Sequence, residues 1–105
     1  MANEMTFNPK DFSVEVLEEA TRGRSHYIKP QLAVVLLKAK LGAGAESYLA
    51  ACACDEGLDV RVRRVAIEEL APFSGAKELL KALTESGNPW VSEAASQALG
   101  GDISP

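Results

Sequence analysis

Histidine is almost missing from this chain: among 105 residues there is only His26. One imidazole excludes a His pair, a His triad and a His-rich metal site. Cysteine is as scarce, with only Cys52 and Cys54. On a helix, residues two apart point about 200° from each other around the axis, so these thiols do not share a metal. Their spacing is not the C-x-x-C of a redox motif either, and both read as small apolar residues in a reducing compartment. No apolar stretch, 32–37 included, approaches the roughly 20 residues a membrane-spanning helix needs. Residues 1–6 carry no basic segment followed by an apolar one, so no secretory signal is expected, and a soluble, cytoplasmic chain is. A phosphate-cradling loop is also lacking: Gly42-Ala43-Gly44-Ala45 has neither the following Lys nor a strand before it. The acid pairs Glu18-Glu19 and Glu68-Glu69 are adjacent on helices, splayed about 100° apart, and poorly placed for joint acid/base work. No catalytic residue, cofactor or metal is therefore expected, and the chain reads as non-enzymatic.

What is present fits one ordinary domain. Apolar residues make up 47% and charged residues 25%, enough to bury a modest core without metal or disulfide support. The net charge is −4 and the pI is near 5.0, a sign that argues against an extended nucleic-acid surface but leaves room for a local basic patch.

The organising feature is a repeat. The segment beginning Asp59-Val60-Arg61-Val62 returns 29 residues later (59 to 88) at Asn88-Pro89-Trp90-Val91. Val62 matches Val91, Ala66 matches Ala95, Leu70 matches Leu99, and a small residue, Ala71 or Gly100, closes each copy. The same step backwards brings Leu41 and Gly42 into register. A second set, Ala45, Tyr48, Leu49 and Cys52, returns at a step of 31 as Ala76, Leu79, Leu80 and Leu83, so the connecting loop is expected to shorten by two. A fixed step of this size marks a repeat architecture.

Taken in order, the chain predicts six helices. Asn8-Pro9 is an N-cap with Pro at the first helical position, and Ser13 is an alternative start. Phe12, Val16, Leu17 and Ala20 form an apolar stripe, and Gly23 stops the helix. Pro30 opens a second helix to Gly42 that is apolar almost all round. The third covers 45 to about 55, with Gly57 expected as a left-handed stop. Asp59 caps the fourth, which ends near Pro72. Ser74 caps the fifth, 75–85, with Leu79, Leu80 and Leu83 inward, a Lys81/Glu85 pair outward, and Gly87 as its stop. Asn88-Pro89 starts the sixth, closed by Gly100-Gly101. The fold expected is all-α: a short α-solenoid of three antiparallel helix pairs, approximately 8–42, 44–72 and 74–100.

A Val-Arg-x-x-Ala segment opened by Asp, following a helix of the Ala-x-x-Leu-Leu-x-x-Leu type, resembles the HEAT-repeat family. The likeness is to its short bacterial form, the PBS-lyase-like HEAT repeats. It rests on Asp59, Val62-Arg63, Ala66 and Leu70 preceded by Tyr48, Leu49 and Cys52, and on Ala76, Leu79-Leu80, Leu83, Asn88, Val91, Ala95 and Leu99. It covers 43–100 well and 8–42 loosely. Ser92 and Val34 stand where the pattern has Arg, so an Asp/Arg ladder of the kind the family uses is confined to Asp59 and Arg63. The resemblance implies stacked pairs whose second helices line one face, and that this face binds.

On the fourth helix, Arg61, Arg64 and Glu68 share the side opposite Val62, Ala66 and Phe73. The register carries them to Trp90, Glu93 and Gln97, and back to Leu32, Val35 and Ala39. The polarity of the second helix itself, with Gln31 and Lys38, prefers a face one residue away; Val35 lies near the surface under both. The expected protein-binding face is thus Val35, Lys38, Arg61, Arg64, Glu68, Trp90, Glu93 and Gln97, on a module acting as adaptor, inhibitor or assembly factor. Plain structural readings stand beside it: Trp90 packed over the Pro72-Phe73 turn, the arginines paired with Glu68, Asp59 or Glu56, and the second helix covered by residues 1–10. Arg22, Arg24, His26, Tyr27 and Lys29 form the one basic, aromatic-containing loop. With Arg61 and Arg64 it supplies the alternative function, nucleic-acid binding, and without a partner it is a solvated loop. A monomer or a homodimer fits the length.

Overall fold

The structure, a computed structural model, describes residues 12–100. Among them no strand occurs, and all regular structure is helical. Helix α1 is Val14–Thr21, with Ser13 as its N-cap: the Val16 N–H donates to Ser13 Oγ at 3.1 Å. The Asn8-Pro9 start lies outside the described residues. Gly23 ends α1 in the left-handed region at φ +80°. Its N–H donates to Ala20 O and the Arg24 N–H to Glu19 O, a paired closure that satisfies two orphan carbonyls. Within α1, Leu17 and Ala20 are buried as expected, but Val16 is exposed and Val14 packs inward instead. Helical spacing accounts for that: Val14, Leu17 and Thr21 lie three and four apart along one side.

Helix α2 (Pro30–Leu41) ends at Gly42, φ +58°. A single 3-10 turn, Gly42–Gly44, leads into α3 (Ala45–Cys54). Helix α4 (Val60–Leu70) is capped by Asp59, which accepts the Arg61 N–H at 2.8 Å. A second 3-10 turn, Ser74–Ala76, precedes α5 (Lys77–Leu83), and α6 (Pro89–Ala98) is capped by Asn88, which accepts from the Trp90 N–H. Ser74 makes no side-chain cap.

Gly57 and Gly87 are not left-handed stops; the positive-φ glycines are Gly23, Gly42 and Gly100. Instead, Asp55 leaves the helical region after α3 and its carboxylate accepts the Gly57 N–H at 2.8 Å. After α5, Ser86 Oγ accepts the Asn88 N–H at 3.0 Å. Short polar side chains turn the chain here, so no glycine conformation is required. The loops 55–59 and 84–88 are equal in length, and the two-residue difference between first-helix and second-helix steps is absorbed by α5, which is 7 residues long against 10 for α3.

Packing follows the pairing. Helix α1 lies on α2, α3 on α4 and α5 on α6, while α2 touches α4 and α4 touches α6. Two apolar clusters result. The larger contains Leu49 and Ala53 of α3, Val62, Ala66, Ile67 and Leu70 of α4, and Val91, Ala94 and Ala95 of α6, with Val34 reaching in from α2. The smaller gathers Leu17, Ala20, Ile28, Ala33, Leu36 and Leu37. Leu41 and Tyr48 pack against both. Helix α2 therefore serves two interiors, which is why so little of it is polar.

Polar ties reinforce this. Buried Arg63 donates Nε to Ala53 O at 3.0 Å, satisfying one of the last carbonyls of α3 and setting a cation at that helix's negative end. Ser92, 29 residues on, donates Oγ to Thr84 O at 2.9 Å and so ties α6 back to the end of α5. An Asp59/Arg63 ladder does not form, because Asp59 is taken by Arg61. Glu69 pairs with Lys38 at 3.2 Å, and Lys81 approaches Glu78 at 4.0 Å instead of Glu85, which lies beyond the end of α5. Thr21 donates to Glu18 O at 2.6 Å, so the Tyr48 hydroxyl is the donor in its 3.3 Å contact with Thr21 Oγ1.

Leu70→Ala should lower stability by about 2–5 kcal/mol, since Leu70 is fully buried between neighbouring elements; a urea melt checks this. Arg63→Met should cost about 1–3 kcal/mol through the carbonyl it leaves unmet. A melt superimposable on wild type would deny that tie its role.

Candidate functional site

The repeat step also sets exposure. On α4, Arg61 and Glu68 are exposed and Arg64 half-buried. One step forward on α6, Trp90 is 55% exposed, and Glu93 and Gln97 are exposed. One step back on α2, Leu32 is 38% and Val35 40% exposed, and Ala39 is exposed. The three second helices thus present one row each. The face that the polarity of α2 prefers is displaced: Gln31 and Lys38 are only half-exposed. Lys38 is engaged at the α2–α4 boundary, paired with Glu69 and 5.9 Å above the Phe73 ring.

Across this face the charges differ in how they are held. Asp59 accepts Nε and Nη2 of Arg61 at 3.1 and 2.9 Å, in a forked contact at the start of α4. Arg64 is different. Its Cζ lies 5.7 Å from the Trp90 ring centroid, and its Nε is enclosed with no acceptor. No ion pair to Glu68, four residues on, forms among the described residues. Gln31, Arg61, Arg64, Val65 and Glu68 line an open recess of about 240 Å³ between α2 and α4. A second recess, about 630 Å³, is lined by Glu56, Arg63, Trp90 and the 86–89 turn. Trp90 therefore has its ring beside Arg64 at the surface, and the arginine-to-Glu56 or Glu68 pairing is not what the structure holds; Arg61 alone follows the Asp59 pairing.

The basic loop is assembled but largely neutralised. Arg22 meets Asp55 at 3.5 Å and Arg24 meets Glu19 at 3.0 Å. Ser25 Oγ accepts the Tyr27 and Ile28 N–H groups, folding the loop so that Ile28 is buried and Tyr27 stands 88% exposed. His26 meets Tyr27 edge-on at 6.4 Å, and Lys29 is the uncapped residue before α2. The exposed rings of this loop line a recess with Glu15, Val16 and Glu19 of α1.

Two groups outside this face are shifted by their surroundings. Burial pushes the Tyr48 hydroxyl up to about 12 and raises the Cys52 thiol, so both favour the neutral form. Among the described residues no cluster of three or more His, Cys, Asp and Glu is placed to hold a metal ion, and no helix is long and apolar enough to cross a membrane. Comparison with protein-family models, with curated proteins and with solved structures gives no match.

What the sequence does not reveal is the state of Arg64. Asp59, two residues before Arg61 at the cap, is the signal that Arg61 will be claimed; nothing equivalent precedes Arg64 in the loop.

Asp59 also sets a pH test. The Arg61 guanidinium, and then the Arg61 backbone N–H, hold its carboxyl at about 2 against an ordinary 3.8. The stabilisation is complete above the ordinary value and is lost as pH falls towards 2. Asp59→Asn should therefore flatten the decline of the melting midpoint over that acid range, measured by circular dichroism. An unaltered decline would exclude the forked contact as its source.

Proposed function

We propose that this chain is a non-enzymatic protein-interaction module, built as a short α-solenoid of three antiparallel helix pairs of the HEAT type. In this reading a protein partner docks on the rows presented by α2, α4 and α6, and the module acts as an adaptor, inhibitor or assembly factor. The observation that carries it is the Arg64–Trp90 contact, at the meeting of two rows on a face with no other assigned role. Trp and Arg contribute most per residue at protein interfaces, because a large ring and a planar cation can both be desolvated productively. The serial contact of α2, α4 and α6 and the recurrence of exposure at the repeat step support the solenoid, since stacked pairs leave equivalent positions open.

The same face is less suited to nucleic acid. Arg22, Arg24 and Arg61 each have a carboxylate partner, and Glu68 and Glu93 lie among the exposed positions. Backbone binding depends on cations free to displace counterions, and few remain here. A reducing, cytoplasmic setting belongs to the same reading, consistent with the unpaired thiols of Cys52 and Cys54.

Replacing Arg61 and Arg64 together by Glu should abolish capture of the partner from native extract while leaving the helical circular-dichroism spectrum unchanged and lowering the melt only by the loss of the Asp59–Arg61 contact. Capture of the same protein by that variant would remove the face from consideration.

A further inference from the structure

We infer that Arg64 and Trp90 form the receiving site for a single carboxylate side chain, Asp or Glu, carried on an extended partner segment with apolar residues on both sides of it. This deepens the reading above and rests on it.

The arginines are engaged unequally. Arg22, Arg24 and Arg61 are matched to carboxylates, and Arg63 donates to a backbone carbonyl. Arg64 alone among them has neither an ion pair nor a hydrogen bond, although it is half-buried and its Nε is enclosed. A guanidinium is weakly hydrated and planar, and its strongest partner is a carboxylate met by two parallel N–H groups. Because Nε is shut in, the edge left for such a contact is the Nη one. The Trp90 ring holds the guanidinium from one side, reducing the freedom it must surrender on binding.

The surroundings define the rest of the ligand. On α2, at the repeat positions of Arg61 and Arg64, stand Leu32 and Val35, both exposed and apolar, while their helix neighbour Gln31 lines the recess with Arg64 and Val65. On the α6 side stands the open part of the Trp90 ring. Neighbouring helices in contact are about 8–10 Å apart, and an extended chain rises about 3.3 Å per residue. Side chains on one side of an extended chain are two residues apart, so an apolar side chain on the Leu32/Val35 patch sits two residues from the carboxylate and one on Trp90 two residues to its other side. Glu68 and Glu93 border the site and repel a second acid, so a polyacidic tract and a nucleic-acid backbone are both poor matches. The occupant is an apolar segment interrupted by one acid.

Trp90 is the only tryptophan, so its emission reports on the site directly. The test titrates the full chain with three degenerate peptide pools of equal length. Each has Leu, Ile, Val or Phe mixed at the flanking positions two before and two after a fixed residue, which is Glu, Gln or Lys. The Glu pool should shift Trp90 emission and saturate, binding at least about tenfold more tightly than the Gln pool and more tightly still than the Lys pool. Calorimetry on Arg64→Gln, which keeps Trp90 and the exposed helix surface, should bring the Glu and Gln pools to equal affinity. Equal binding of the Glu and Gln pools to the unaltered chain would overturn the inference, as would a Glu preference that survives in Arg64→Gln, or no binding by any pool. A saturating, Arg64-dependent response to an oligothymidine would overturn it in favour of a phosphate ligand. If the pools fail while the Arg61→Glu, Arg64→Glu variant still loses its captured partner, the interaction face stands and only the carboxylate assignment falls.

Discussion

The burial of α4 is the constraint on which the other features depend. This helix packs on α3 behind it and between α2 and α6 at its sides, so Val62, Ala66, Ile67 and Leu70 lie in one interior with residues from every one of those neighbours. No single pair in the chain has enough apolar surface to fold alone, and the central pair is stable because it is covered on both sides. Small residues make that close approach feasible: Ala66 on α4, and Ala94 and Ala95 on α6, are all fully enclosed. With three sides of α4 committed to packing, one side is left, and Arg61, Arg64 and Glu68 are gathered there, while Arg63 and Glu69 tie the helix to α3 and α2. The exposed face is thus a residue of the packing, and its composition is what remains open to functional selection.

Two polar ties convert this stacking into a fixed geometry. Arg63 and Ser92 occupy equivalent positions and each anchors its helix to a carbonyl at the end of the preceding one. One does it with a long, buried cation and the other with a short hydroxyl, so the apparent departure from the repeat pattern at Ser92 preserves the mechanical role. Position 34, the first-pair equivalent, is Val and sits in the interior, so the first pair lacks such a tie. It is joined to the others by Val34, by Lys38 with Glu69, and by Tyr48 with Thr21.

Much of this is legible in the sequence because repetition encodes environment. The step from Arg61, Arg64 and Glu68 back to Leu32, Val35 and Ala39 locates the exposed row of α2 even though those residues are apolar. Judging α2 by its own polarity points one residue away, since Lys38 is polar in order to reach Glu69 and Phe73. The caps at Asp59 and Asn88 are equally legible, being local. Glycines mislead where a neighbouring side chain does the turning, as at Gly57 beside Asp55. Tertiary pairings are the least legible: Glu69 with Lys38 joins helices far apart in sequence, and no neighbour in sequence signals that Arg64 stays without an acid.

The sharing of α2 between two apolar clusters has a mechanical consequence. Leu17 and Ile28 report to one compartment only, whereas α2 forms the partition wall that both compartments lean on. Damage to α1 can therefore stay local, peeling the amino-terminal layer while the remainder holds its shape. Damage to α2 breaches both chambers at once and decides whether the chain comes apart in stages or as a unit.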